Sequence, residues 1–218
     1  MKFRTHRTIP ITPWTARNYW ELNISRISIL FVGLALFGFG EAFLINSYLG
    51  NTPWAVFAQG ISKRIGINIG WCTFFISAAI LVIWVALKQK PGFGTIANMI
   101  VLAFFLQLGT EIFPIEKGKF YFGLIEVVLG IISTGIGSAL YITCGLGPGP
   151  RDGLMTALHN KTKQPVVRVR LAIEVTVLIF GILLGGRFGV GTVIYALTIG
   201  LSIGFFLNVV AQLFPPKK

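Results

Sequence analysis

Cysteine, histidine and acidic side chains are all scarce in this chain of 218 residues, which has two Cys, two His and only seven Asp plus Glu. Cys72 and Cys144 form neither a zinc spacing nor a disulfide framework, and they read as small buried apolar residues. His6 falls in a polar N-terminal tail and His159 on a short polar helix, so neither suggests catalysis. There is no H-E-x-x-H helix, no nucleophile elbow, no P-loop and no Gly-x-Gly-x-x-Gly following a strand. The chain is therefore not expected to be an enzyme, and no cofactor or metal is expected. A cleavable signal peptide is not expected either. The polar stretch running to about Ser25 is too long for a usual n-region, and no A-x-A-like site closes the first apolar run.

What the chain does have is hydrocarbon. It is 54% hydrophobic and only 12% charged, with 26 Gly, 19 Phe and a net charge of +12. A bilayer core of about 30 Å is crossed by about 20 apolar residues. Six stretches approach that length: 27–49, 68–87, 94–113, 122–144, 166–186 and 191–213. Two shorter helical segments, 53–64 and 150–162, follow the first and fourth stretches. The run at 76–87 is almost uniformly apolar, which excludes the alternating pattern of a β-barrel. Lys and Arg cluster between the apolar runs, where lipid headgroups are the nearest anions, so lipid and not nucleic acid is the expected polyanionic neighbour. With the N-terminus inside, 14 of the 19 Lys and Arg fall on the cytoplasmic side, so both termini are expected to be cytoplasmic.

The sequence also repeats. Shifted by 97 residues without a gap, Gly33, Gly38, Gly40, Gly50 and Pro53 fall on Gly130, Gly135, Gly137, Gly147 and Pro150. Gly92, Gly94 and Thr95 fall on Gly189, Gly191 and Thr192. A register of Gly, Pro and Thr at punctuating sites is much less expected by accident than matches among Leu and Ile. Each unit holds three spans, an odd number, so the units enter the membrane from opposite sides. The expected architecture is all-α: six transmembrane helices in two inverted-topology three-helix repeats, with a short interfacial or re-entrant helix after the first span of each. The boundaries are 1–26 for a cytoplasmic segment, 27–113 and 122–213 for the repeats, and 214–218 for a cytoplasmic tail. The glycines on the first and fourth spans predict close packing of those two helices.

Glu41 is the polar residue most clearly placed in an apolar span. Buried carboxylates in membranes mark ion or proton pathways, and a neutral, hydrogen-bonded Glu41 is the alternative reading. Asn46 lies one turn on and suggests a shared cavity. Asn98 is an amide within the third span, open to ligand contact or to interhelical bonding. Arg170 and Glu174, four apart, suggest an ion pair at the interface, and Glu174 is kept as a pathway candidate. The densest motif is the break at 145–154, in which Gly147, Gly149 and Gly153 permit a tight backbone and Pro150 suits a helix start. Asp152 is expected to cap that helix, and Arg151 places a positive charge beside its N-terminus, where an anion could bind. The matching break contains Gly50 and Pro53. Paired breaks of this kind point to a transporter site.

The segments 149–155, Arg168 to Glu174 and 189–192, with 52–54 and 91–95 in the first half, resemble the YczE/YitT group of bacterial integral membrane proteins across roughly 27–213. The resemblance implies a plasma-membrane location in a bacterium and brings no substrate. That group often carries an acidic residue just after Pro-Trp, where this chain has Ala55, so Asp152 would act without a mate. The expected function is secondary transport of a small solute or ion, with lipid as the surrounding partner and a homo-oligomer left open. The alternative is a membrane accessory protein that binds a cytoplasmic partner through its basic loops.

Overall fold

The computed structural model describes residues 9–113 and 120–215, all of its regular structure helical. Lys2, Arg4, His6, Arg7, Lys117, Lys119, Lys217 and Lys218 lie outside the described residues. Eight helices follow in order: α1 (Ile24–Asn46), α2 (Pro53–Ile65), α3 (Ile69–Ala86), α4 (93–112), α5 (Phe120–Thr143), α6 (Pro150–Thr162), α7 (Val166–Leu183) and α8 (Val190–Leu213). Each expected span is a helix. Five of them, α1, α3, α4, α5 and α8, are long and apolar enough to cross a membrane. The sixth, α7, has 18 residues but carries Arg168, Arg170 and Glu174 in its first half.

Local chemistry sets the ends. Asn23, Thr52 and Asn68 cap α1, α2 and α3 by accepting backbone N–H bonds from Ser25, Ala55 and Trp71. Asn23 starts α1 earlier than the apolar run alone predicts. A turn through Ser47, with Tyr48 and Gly50 at φ 58° and 120°, ends it at Asn46 instead of residue 49. In α4, a π-helical turn over Asn98–Leu102 interrupts the α-helical ladder. Lys63 and Arg64 sit in the last turn of α2, and His159 and Lys161 in that of α6, where basic groups complement the helix dipole.

The core is the crossing of α1 and α5. A Cβ on Gly33 would lie 2.9 Å from the Gly137 carbonyl oxygen, and one on Gly137 would lie 2.5 Å from that of Gly33. Gly40 and Gly130 are paired in the same way, each facing the other's carbonyl at 2.8 Å. As the number rises along α1 it falls along α5, so the two helices are antiparallel. Contacts also exchange under the shift of 97. Gly38 packs on Leu102 and Leu106 of α4, while its mate Gly135 packs on Ser202 and Phe206 of α8. The Gly191 N–H donates to the Leu49 carbonyl at 2.8 Å, and the Gly94 N–H donates to that of Leu146 at 2.8 Å. Gly50 and Gly147, both at positive φ, lie against Gly189 and Gly92, where no side chain would fit. The short helices are exchanged too, with α2 packing on α7 and α6 on α3. Ser133 Oγ donates to the Leu36 carbonyl at 2.7 Å, and these two residues are each other's mates. They mark the middle of the crossing.

The N-terminal segment is not a free tail in its described part. Residues 9–23 form a strap over one end of the bundle. The Thr15 hydroxyl donates to the Thr143 carbonyl at 2.8 Å, and the Ala16 N–H donates to that of Cys144 at 2.9 Å. Arg26, 9% exposed, holds the strap by donating to the carbonyls of Trp14, Thr15 and Glu21. The Arg17 N–H bond, followed by the charges of Arg26 and Arg17, holds the Glu21 carboxyl below its ordinary value. No periodic apolar pattern announces such a strap in the sequence.

The glycine crossing makes a direct prediction. Gly137→Ala should cost about 1–3 kcal/mol, because the added methyl meets backbone atoms that cannot swing aside. Gly200→Ala, with open space around its Cβ, should leave stability unchanged or raise it slightly. Thermal unfolding of the two purified variants compares them.

Candidate functional site

The two chain breaks end inside the bundle, next to Glu41. Each break returns from the end of a long helix and starts a 13-residue helix at a proline, Pro53 in α2 and Pro150 in α6. The Arg151 Nη1 donates to Glu41 Oε1 at 3.0 Å, and the Thr52 hydroxyl lies 3.4 Å from the same oxygen. The Arg151 guanidinium also sits over the Trp54 ring, 5.2 Å from its centroid. Thr52 and Trp54 from one break, and Arg151 from the other, therefore surround a carboxylate that is 1% exposed. Glu41 lies five residues beyond Leu36 on α1, about 7 Å from the middle of the crossing, and helical side chains lean back toward the N-terminus.

The pairing is incomplete. Glu41 Oε2 is buried without a hydrogen-bond partner, as are the Trp54 indole Nε1 and the Thr73 hydroxyl. A buried ion pair held at one point carries a large desolvation cost, so it is weak evidence for stability on its own. Asp152 does not cap α6 as expected. Gly149 holds the N-cap position with no side-chain bond, and Asp152 sits in the first turn, where its Oδ2 accepts from the Tyr141 hydroxyl. Thr52 is the true side-chain cap at the equivalent place in the first half.

Beside the ion pair is a small cavity of about 40 Å³. Ser77, Asn98, Arg151 and Asp152 supply its polar atoms, Phe37 and Leu102 its apolar wall, and Gly149 its closest backbone. The π-helical turn of α4 begins at Asn98 and presents this amide to the cavity. A Cβ on Gly149 would come within 3.1 Å of the Asn98 side chain, a tight contact that would push the amide aside by a few tenths of an ångström. A separate groove of about 630 Å³ opens between α2, α3 and α7, lined by hydrocarbon, and Trp54 belongs to its wall.

Of the residues proposed from sequence, the structure gathers Glu41, Asn98, Arg151 and Asp152, with Gly149 beside them and Pro53 and Pro150 starting the converging helices. Asn46 is placed elsewhere. Its Nδ2 donates to the Phe113 carbonyl at 3.1 Å, tying the end of α1 to the end of α4. Glu174 accepts from Arg170 Nε at 2.9 Å, and Tyr195 lies within electrostatic reach of that pair and of Glu41 and Arg151. Gly50 and Gly147 make the tight crossings of the breaks with Gly189 and Gly92, and Gly153 accommodates the Trp84 ring, which a Cβ would strike at 1.9 Å. Sequence reasoning passed over Thr52 and Trp54 as separate contributors, and over Ser77, Tyr141 and Tyr195. Ser77 had one available signal, since it is a hydroxyl in an apolar span and the repeat mate of Glu174.

Residues 24–208 match the model of a family described as a family of unknown function (DUF6198). An uncharacterized protein of Haemophilus influenzae is 42% identical over 207 residues, covering 95% of this chain and 94% of that one. The uncharacterized membrane protein YczE of Bacillus subtilis is 31% identical over 192 residues, covering 87% and 89%. The uncharacterized protein YyaS of the same organism is 24% identical over 193 residues. No solved structure matches. With five helices fit to cross a bilayer and a match spanning most of its length, the chain is a multi-pass membrane protein and belongs to the DUF6198 family.

Proposed function

We propose that this protein is a secondary transporter that moves a small solute or ion across the bacterial plasma membrane. The observation that carries this reading is the convergence of two helix breaks, one from each half, on Glu41 and Arg151 near the middle of the α1/α5 crossing. Broken helices that meet at mid-depth, between halves of opposite orientation, provide a site that rocking can open to either side. The reciprocal contacts of the halves and the antiparallel α1 and α5 support inverted repeats. In this reading α7 is the sixth crossing, with the cost of its charges reduced by the Arg170–Glu174 pair. The termini are cytoplasmic, and α2 and α6 are re-entrant, with their N-termini inside and their basic C-terminal turns toward opposite surfaces.

Topology is tested with single cysteines at Lys63→Cys and Lys161→Cys, both exposed positions, against native Cys72 and Cys144, which are buried. The two should be labelled by an impermeant reagent from opposite faces, and labelling from the same face would end the inverted-repeat reading. Mechanism is tested at the ion pair. Arg151→Met should destabilise by about 3–5 kcal/mol, because it leaves Glu41 buried and unpaired, and the double variant Glu41→Gln/Arg151→Met should recover most of that loss. In proteoliposomes supplied with a mixture of small metabolites, both Glu41→Gln and the recovered double variant should lose uptake. Uptake retained in the double variant would take the pair out of the mechanism.

A further inference from the structure

The cavity beside Arg151 contains more hydrogen-bonding capacity than the protein satisfies. Ser77 is 4% exposed and Asn98 is 9% exposed, and both line the cavity. Neither side chain has a hydrogen-bond partner among the described residues. Arg151 uses one N–H on Glu41, and its remaining donors have no partner among those residues. The lining thus combines a cation with spare donors at Arg151, a carboxylate at the exposed Asp152, whose Oδ2 also accepts from Tyr141, and two neutral groups that both donate and accept. The helix beginning at Pro150 has no side-chain cap, so its first-turn N–H groups add positive character beside Gly149. The polar atoms of Ser77 and Asn98 face accessible space in the cavity, so a polar occupant can supply the bonds that the protein does not.

We infer that this cavity is the binding site of a small zwitterion, an α-amino acid with little or no side chain. The carboxylate is received by Arg151 and the α6 N-terminus, the ammonium by Asp152, and Ser77 and Asn98 complete the shell. A simple anion would face Asp152 and a simple cation would face Arg151, whereas a molecule with both charges meets both. Size sets an upper bound. A single water needs about 10–15 Å³ of such space, so about 40 Å³ admits only a very small ligand. The assignment names a substrate class for the transport reading and rests on it, yet binding is measured separately.

The test is calorimetric titration of the purified full-length protein in detergent near neutral pH with glycine, acetate and methylammonium. Glycine should bind saturably, with acetate and methylammonium each at least about tenfold weaker. Ser77→Ala and Asn98→Ala should each weaken glycine about tenfold, the size of one lost hydrogen bond, and Asp152→Asn should abolish binding. The three-ligand comparison on the unaltered protein stands even if a variant fails to fold. Absence of glycine binding, or equal binding of acetate or methylammonium, overturns the inference and leaves a hydrated cavity. Glycine binding without uptake into proteoliposomes removes the transport reading and keeps the site.

Discussion

Everything in this molecule depends on two helices touching backbone to backbone. At Gly33, Gly40, Gly130 and Gly137 there is no side chain between α1 and α5, and the carbonyl of one helix occupies the space a Cβ would need on the other. In lipid no hydrophobic effect draws helices together, so association relies on close packing and on satisfied polar groups. The antiparallel crossing puts each glycine opposite the repeat mate of its neighbour. The same contact is therefore made twice, and the rest of the halves is carried into reciprocal positions around it.

Exchange of elements follows from that crossing. Each break lies against the start of the last helix of the other half, as the bonds from Gly191 to Leu49 and from Gly94 to Leu146 show. Each short helix then packs on the third helix of the opposite half. Neither half could bury its own break alone. The arrangement also brings Thr52 and Arg151, 99 positions apart in the chain, to a single carboxylate.

The backbone is close to symmetric, and the chemistry is not. Arg151, Asp152, Arg170 and Glu174 have Trp54, Ala55, Thr73 and Ser77 as mates, while the mate of Glu41 in the first half is the uncharged Ser138 in the second. One half supplies most of the charge, and the other supplies the aromatic ring under Arg151 and the hydroxyl at the cavity. The π-helical turn at Asn98 has no counterpart in α8, which runs as one α-helix. Local departures of this kind concentrate where a function needs a specific side chain.

Apolar run length located every long helix to within a few residues, because hydrocarbon thickness sets a length that composition reveals. Glycine spacing revealed the repeat and the α1/α5 contact. Glu41 and Arg151 were visible separately, one as a charge in an apolar span and the other at a helix start. Their pairing was not, since nothing local connects positions 41 and 151. Asn46 looked able to share the surroundings of Glu41, and only packing separated them by giving Asn46 a carbonyl at Phe113, whereas the Arg170–Glu174 pair was already readable from its spacing of four. The strap at residues 9–23 was invisible because irregular backbone has no period to read. Sequence alone determined the membrane class, the helix inventory and the 97-residue register of Gly, Pro and Thr, all of which depend on composition and spacing. Tertiary structure decided which polar groups meet and which stay unsatisfied, because burial and partnership arise only when distant segments are packed against each other.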